Sequence, residues 1–337
     1  MHDGPVIPLE EADTIDFVRV LNTFDSWWKT VEKTWTLHGI LFAAPILVAA
    51  IWVVLGLRKR LPQKFFSPAG AFPVIATVIA MGAGTYLAWT KAFLCDDAYI
   101  SLRYAQNLVE GNGLVFNVGE RVEGITNFLW TAAVALLSII TPLEMPFIAV
   151  AFALVCFALN FFVVYRIGRR LQLDSGVGFF IPIAVSMMSV QFILTNYGTS
   201  GLETSAASLL VSLGLLFLIA PPSPKHALLS GLMFILATLT RPDHAVFFVA
   251  GGLAEAVRAM RLFIEEKKAS GRFRLRLSQL KNGLFFSAPF VLYLAFLLWR
   301  FWYYGDWVPN TYYTKVLDPW PEAGIRYLAS FVIEYGI

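Results

Sequence analysis

Residues 71–97 read Ala71-Phe72-Pro73-Val74-Ile75-Ala76-Thr77-Val78-Ile79-Ala80-Met81-Gly82-Ala83-Gly84-Thr85-Tyr86-Leu87-Ala88-Trp89-Thr90-Lys91-Ala92-Phe93-Leu94-Cys95-Asp96-Asp97. Up to Leu94 the stretch carries a single charge, over at least the ~20 residues that a helix needs to cross a bilayer. It then delivers two adjacent carboxylates to the membrane edge, where charge is expensive to hold. Glu110, Glu120 and Glu123 follow, so five carboxylates fall between positions 96 and 123. An acidic loop placed this way is a functional candidate, and the rest of the chain reads as a helical frame around it.

The composition agrees. Of the 337 residues 58% are hydrophobic and only 15% charged, against about 25% charged in a soluble domain. Mean hydropathy is +0.66. Apolar runs of this length mean α-helices, because lipid leaves unpaired backbone groups without partners. Alternating strands of a membrane barrel are not found. The fold class is therefore an all-α polytopic membrane protein, with no nucleic-acid partner expected. Cys95 and Cys156 lack metal-ligand spacing and read as small packing residues. No cleavable signal peptide is recognisable, since residues 1–38 are polar and acidic.

Charge orders the spans. Residues 1–38 hold seven acids and three bases and form an acidic extracytoplasmic tail. Span 39–57 is followed at once by Arg58-Lys59-Arg60 and Lys64, which stay cytoplasmic by the positive-inside rule. Span 71–94 then places the loop 95–146 on the outer face. The apolar segment 126–141 is too short to cross, and a crossing there would turn Arg166/Arg169/Arg170 and the basic loop 258–281 outward. It is expected to be a non-crossing helix. Further spans are expected at 147–165, 177–195, 204–220, 226–241, 243–257 and 282–301, with a ninth beginning near Ala323. This arrangement puts 16 bases and four acids inside, and ten bases and 19 acids outside. The transmembrane domain would run from 39 to 337. The chain breaks off in an apolar segment at Ile337, so a further C-terminal part is expected.

Four polar clusters then share the outer face: Asp96/Asp97 with the loop to Glu123; Thr199-Ser200-Gly201-Leu202-Glu203; Thr240-Arg241-Pro242-Asp243-His244; and Tyr303-Tyr304-Gly305 through Pro309-Asn310-Thr311 to Lys315. One acid of the pair is explained as the N-cap of a helix over 98–109, with Asp97 the better placed. The second is free to act as a general base. Arg103 lies two turns along and either offsets the acids or meets substrate. Glu120, Arg121 and Glu123 divide evenly between surface ion pairs and ligand contact. Glu203 favours a helix N-terminus. Arg241 needs a counterion between two apolar spans; Asp243 supplies one, and a phosphate is the alternative. Lys315 either snorkels to the interface or reaches a second phosphate oxygen.

The residues Asp96-Asp97-Ala98-Tyr99-Ile100 with Arg103, then 107–117 and Gly119-Glu120-Arg121-Val122-Glu123, resemble the first outer loop of the GT-C membrane glycosyltransferases. The likeness is greatest to the mycobacterial arabinofuranosyltransferase B type. Thr199-Ser200-Gly201-Leu202-Glu203, Arg241-Pro242-Asp243 and Tyr303-Tyr304-Gly305 with Pro309 and Lys315 recur in the same order, so the resemblance covers roughly residues 75–320. It implies a GT-C-like transmembrane domain that transfers a sugar from a polyprenyl-phosphate donor, with inversion, to a glycan, lipid or protein acceptor outside the cytoplasmic membrane. Asp96 and Asp97 take the catalytic positions. Arg241 and Lys315 fall near the lipid phosphate. Arg103, Glu120, Arg121, Glu123, Asn127, Glu203, Tyr304 and Asn310 are candidate substrate contacts. No cofactor is required by this reading. Should a metal take part, Asp96, Asp97 and Glu203 are its candidate ligands, and an all-oxygen set suits Mg²⁺, Mn²⁺ or Ca²⁺. The rival function is a transporter or flippase of a lipid-linked sugar. Such carriers place charges at mid-membrane in repeated halves, and no repeat is visible here.

Overall fold

The computed structural model describes residues 63–176, 180–270, 277–315 and 321–335. The N-terminal tail, the span expected at 39–57 and Arg58-Lys59-Arg60 lie outside them. The described residues form helices α1 Gln63–Phe66, α2 Ala71–Thr90, α3 Asp96–Val109, α4 Phe128–Ile140, α5 Met145–Asp174, α6 Ile183–Val190, α7 Phe192–Tyr197, α8 Thr204–Leu218, α9 Pro224–Thr240, α10 Ala245–Ser270, α11 Leu277–Ser287, α12 Phe290–Tyr304, α13 Asn310–Lys315 and α14 Pro321–Tyr335, with a 3₁₀ turn at Pro242–His244. The fold is all-α, as the composition requires. Among the described residues three apolar stretches are long enough to cross a membrane: α2, α5 and the run Leu280–Tyr304 through α11 and α12. Pro289 breaks that run, because it offers no N–H to the preceding turn.

Several boundaries differ from the sequence reading. The span expected at 177–195 is two short helices, α6 and α7. They part at Gln191, whose extended backbone leaves the helix and whose side chain accepts the Leu194 N–H at 2.7 Å. The basic loop expected at 258–281 is helical as far as Ser270, as α10 runs 26 residues. Lys267 and Lys268 close it, where cations complement the helix C-terminus. Within 95–146 the chain makes two helices, α3 and α4. At 13 residues α4 spans about 20 Å, short of the ~30 Å hydrocarbon core.

The acidic helix α3 is built into the core. Leu102 and Ala105 pack with Trp130, Val134 and Ala135 of α4, with Ile148, Ala149, Ala153 and Cys156 of α5, and with Ala206 of α8. Trp130 stacks on Phe152, with centroids 5.1 Å apart, and its Nε1–H reaches the Gly201 carbonyl at 3.2 Å. A second cluster joins α2, α5 and α6 through Ala88, Phe157, Phe161 and Val185. α3 buries Ala98, Ser101, Leu102, Tyr104, Ala105 and Asn107, which recur every three to four residues on one face. Its other face carries Asp97, Tyr99, Arg103 and Gln106 to the surface.

The charge-derived orientation makes a direct prediction. Cysteines placed at the exposed Glu110 and Lys268, in a chain whose own cysteines are replaced by serine, should label from opposite sides of intact cells, with position 110 reached from outside. Labelling of both from one side would overturn the assignment.

Candidate active site

α3 begins at Asp96, two residues before the expected start, and its N-cap is Cys95 with no side-chain cap bond. Asp97 is therefore not the cap. Both acids sit in the first helical turn, where free N–H groups and the helix dipole favour negative charge. Both are exposed, and among the described residues neither carboxylate has a hydrogen-bond or ion-pair partner.

The 199–203 segment seats this turn. Cys95 N–H donates to the Ser200 carbonyl at 3.2 Å, and Thr199 Oγ1 donates to the Ala88 carbonyl at 3.0 Å. Gly201 lies against Leu94 and Ala98 with φ of +79°, so a side chain there would be strained and would collide with Leu94. Two clusters remote in sequence are thereby one structure.

From α3 a buried polar chain runs inward. Ser101 Oγ lies 3.1 Å from Asn127 Oδ1 and 2.9 Å from its Nδ2. Asn127 Nδ2 donates to Glu203 Oε2 at 2.8 Å, and Thr131 Oγ1 donates to Asn127 Oδ1 at 3.2 Å. Glu203, 5% exposed, accepts from Arg241 Nη1 on its other oxygen at 3.2 Å. Nε and Nη2 of Arg241 fork onto Asp243, at 3.2 and 3.0 Å, and His244 Nδ1 lies 2.8 Å from Asp243 Oδ1.

The other flank is a clamp on the loop after α3. Leu114 N–H donates to Tyr303 Oη at 3.1 Å, while Tyr304 Oη donates to the Leu114 carbonyl at 2.6 Å. Gly113, at φ +89°, passes so close to Tyr303 that a Cβ would strike its hydroxyl. Arg121 lies over the Tyr303 ring at 5.0 Å. Asn107, wholly buried, donates to the Val115 and Phe116 carbonyls, both at 2.8 Å. Tyr104 Oη donates to the Val122 carbonyl and accepts the Gly124 N–H, each at 2.7 Å. Glu123 is buried against Arg300, Oε2 to Nε 3.0 Å, without the alignment of a hydrogen bond. The Asn310 N–H reaches the Glu123 carbonyl at 2.9 Å. Burial pushes the Glu123 pKa up to about 7, against the opposing pull of Arg300.

The candidate residues thus divide. Glu123, Asn127 and Glu203 are buried, with their side chains committed to neighbours. Tyr304 clamps the loop. Arg103 donates weakly to the Phe116 carbonyl at 3.4 Å, and Glu120 pairs with Asn117 at 2.9 Å. Glu120, Arg121 and Asn310 are exposed. Lys315 ends α13, and its side chain lies outside the described residues. A cleft of about 320 Å³ between α3 and the following loop is lined by Ile100, Tyr104, Phe116, Asn117 and Glu120, one turn from Asp96. The trio Asp96, Asp97 and Glu203 does not form a metal site: among the described residues no three His, Cys, Asp or Glu side chains are grouped to hold an ion. Sequence reading missed Arg300, whose signal was a lone charge in the aromatic run Leu297-Leu298-Trp299-Arg300-Phe301-Trp302. It also missed Ser101 and Tyr104, which carry no such signal.

An apolar helical chain with an open pair of acids and a carboxylate-held arginine narrows the class, and two relatives narrow it further. The chain is 29% identical over 280 residues to the terminal beta-(1->2)-arabinofuranosyltransferase of Mycobacterium tuberculosis, covering 78% of this chain and 41% of that one. It is 27% identical over 284 residues to the enzyme of the same name from Corynebacterium glutamicum, covering 78% and 38%. These values are those of distant homology. The chain spans about two fifths of the length of these curated relatives. No protein-family model matches it, and no solved structure does.

The Glu123 environment gives a pH prediction. A carboxyl raised from 4.5 to about 7 on folding contributes stability that is complete below pH 4.5 and is lost as pH rises through 7. Thermal unfolding of wild type should therefore fall relative to Glu123→Gln between pH 5 and 8, by on the order of 3 kcal/mol at most. Parallel curves would show that Arg300 fully offsets the burial.

Proposed function

We propose that this chain forms the membrane part of a glycosyltransferase that moves a sugar from a polyprenyl-phosphate donor to an acceptor hydroxyl on the outer face of the cytoplasmic membrane. The observation that supports this most is the single buried frame joining two exposed carboxylates to a half-open guanidinium. The distant homology to two arabinofuranosyltransferases agrees with it. In this reading the acidic tail 1–38 and the transmembrane domain 39–337 are the two parts of the chain.

The chemistry follows from placement. The acceptor oxygen attacks the anomeric carbon from the face opposite the leaving group, and its proton passes to Asp96. The bond from the anomeric carbon to phosphate oxygen breaks, and its electron pair leaves with the polyprenyl phosphate. Asp97, beside Asp96 on the same open turn, orients the hydroxyl. Arg241, supported by Lys315, meets the charge that develops on the departing phosphate; fixed cations of this kind are commonly the largest catalytic contribution. The acceptor enters over the cleft beside Ile100, which Asn117 and Glu120 line, and Arg103, Arg121 and Asn310 are its further candidate contacts.

The test is sugar transfer from a labelled polyprenyl-phosphate donor in reconstituted membranes. Asp96→Asn keeps the size and hydrogen-bonding atoms but cannot accept the proton. Transfer should fall by about 10²–10⁴-fold while donor binding persists, and Asp97→Asn should cost less. An undiminished Asp96→Asn enzyme would end the base assignment, and lipid movement without glycosylated product would favour a carrier.

A further inference from the structure

Arg241 already has anions on it. Nε and Nη2, the side-on edge suited to a bidentate phosphate, are occupied by Asp243, and Nη1 is occupied by Glu203. With His244 neutral, the three charged side chains sum to one negative charge, which would repel the donor phosphate that Arg241 is expected to receive.

The two carboxylates differ in what they can do. Glu203 is 7% exposed at its side chain and bonded at both oxygens. Releasing it would strand a buried charge. Asp243 is 62% exposed at its side chain, so water can solvate it when it lets go. It has a second partner waiting: His244 Nδ1 lies 2.8 Å from Oδ1, and that ring is itself seated 5.5 Å from Phe247. The backbone between them is fixed, with Arg241 N–H bonded to the Ala237 carbonyl, His244 N–H to that of Arg241, and Pro242 in the 3₁₀ turn. A side-chain rotation of Asp243 onto His244 and solvent uncovers the arginine edge without moving the chain.

We infer that Glu203 is a permanent positioning residue for Arg241, and that Asp243 is a displaceable stand-in that leaves the arginine when a lipid phosphate arrives and returns to expel it. This rests on the reading that Arg241 receives the donor phosphate. Displacement leaves an Arg241–Glu203 pair that is neutral overall and presents the side-on edge to the phosphate. Return of Asp243 after transfer releases the polyprenyl-phosphate product.

The experiment measures binding of sugar-free polyprenyl phosphate to the protein in nanodiscs, with thermal unfolding as a control on folding. Arg241→Gln should weaken binding at least tenfold, with Arg241→Lys a partial rescue; unchanged binding in Arg241→Gln would remove the phosphate site and the stand-in together. With that satisfied, Asp243→Asn and Asp243→Ala should both tighten binding several-fold and strengthen product inhibition of transfer. Glu203→Gln should weaken binding about tenfold, with KM for the donor raised more than kcat is lowered. Unchanged or weaker binding in both Asp243 variants would overturn the stand-in, because the phosphate would then use the end-on edge of Arg241 with Asp243 in place. Wild-type donor affinity in a folded Glu203→Gln protein would overturn the positioning role.

Discussion

The carboxylate of Glu203 must be paired, and much of the site follows from that. An ion removed from water carries a desolvation cost of several kcal/mol, and losing its partner costs about 3–5 kcal/mol. Glu203 meets this with Asn127 on one oxygen and Arg241 on the other. Asn127 in turn is fixed by Ser101 and Thr131. The start of α8, the start of α4, the buried face of α3 and the end of α9 are therefore held in one register by polar contacts. Apolar packing could slide; a chain of short hydrogen bonds cannot slide without leaving groups unsatisfied.

A second buried pair, Glu123 with Arg300, does the same for the other flank with poorer geometry. It lacks hydrogen-bond alignment, and the loop it serves is held instead by backbone contacts from Tyr303, Tyr304, Tyr104 and Asn107. Four side chains thus bind the main chain of the loop rather than its side chains. Such a scaffold fixes the path of residues 113–124 while leaving the exposed Asn117, Glu120 and Arg121 free to vary in chemistry. The cleft beside Ile100 has a rigid floor for this reason, and a polar rim.

The helical class and the long apolar stretches were legible because hydropathy acts over ~20 residues and needs no partner. The acidic helix was legible from Asp96/Asp97 and the turn at Gly111-Asn112-Gly113, although its start was misplaced, since the first turn is stabilised by the dipole without a side-chain cap. The break at Gln191 was not legible: a glutamine within an apolar run looks like a tolerated polar residue until its side chain caps the next helix. Arg241 with Asp243 could be read locally. Its pairing with Glu203, 38 positions earlier, could not, because α8 and α9 lie between and nothing in the local pattern reports which helix ends meet. Arg300 marked itself as a lone charge among aromatics, but its partner Glu123 lies 177 positions earlier.

The contrast in how the charges are kept is the strongest physical argument about this site. Structural charges in an apolar protein are paired and buried, as Glu203, Glu123 and Arg300 are. Asp96 and Asp97 are left open on a helix turn that the core holds rigid through Ala98, Leu102 and Ala105. Their like charges repel, and the helix N-terminus offsets only part of that. A fold under selection for stability alone gains little from two adjacent acids there, since one carboxylate suffices for the dipole. The cation is handled in the opposite way, paired with one buried carboxylate, Glu203, and one exposed carboxylate, Asp243. Under the proposed function, an open anionic group and a covered cationic group on one frame would keep a proton acceptor ready at all times, and a cation available only to an anion able to displace Asp243.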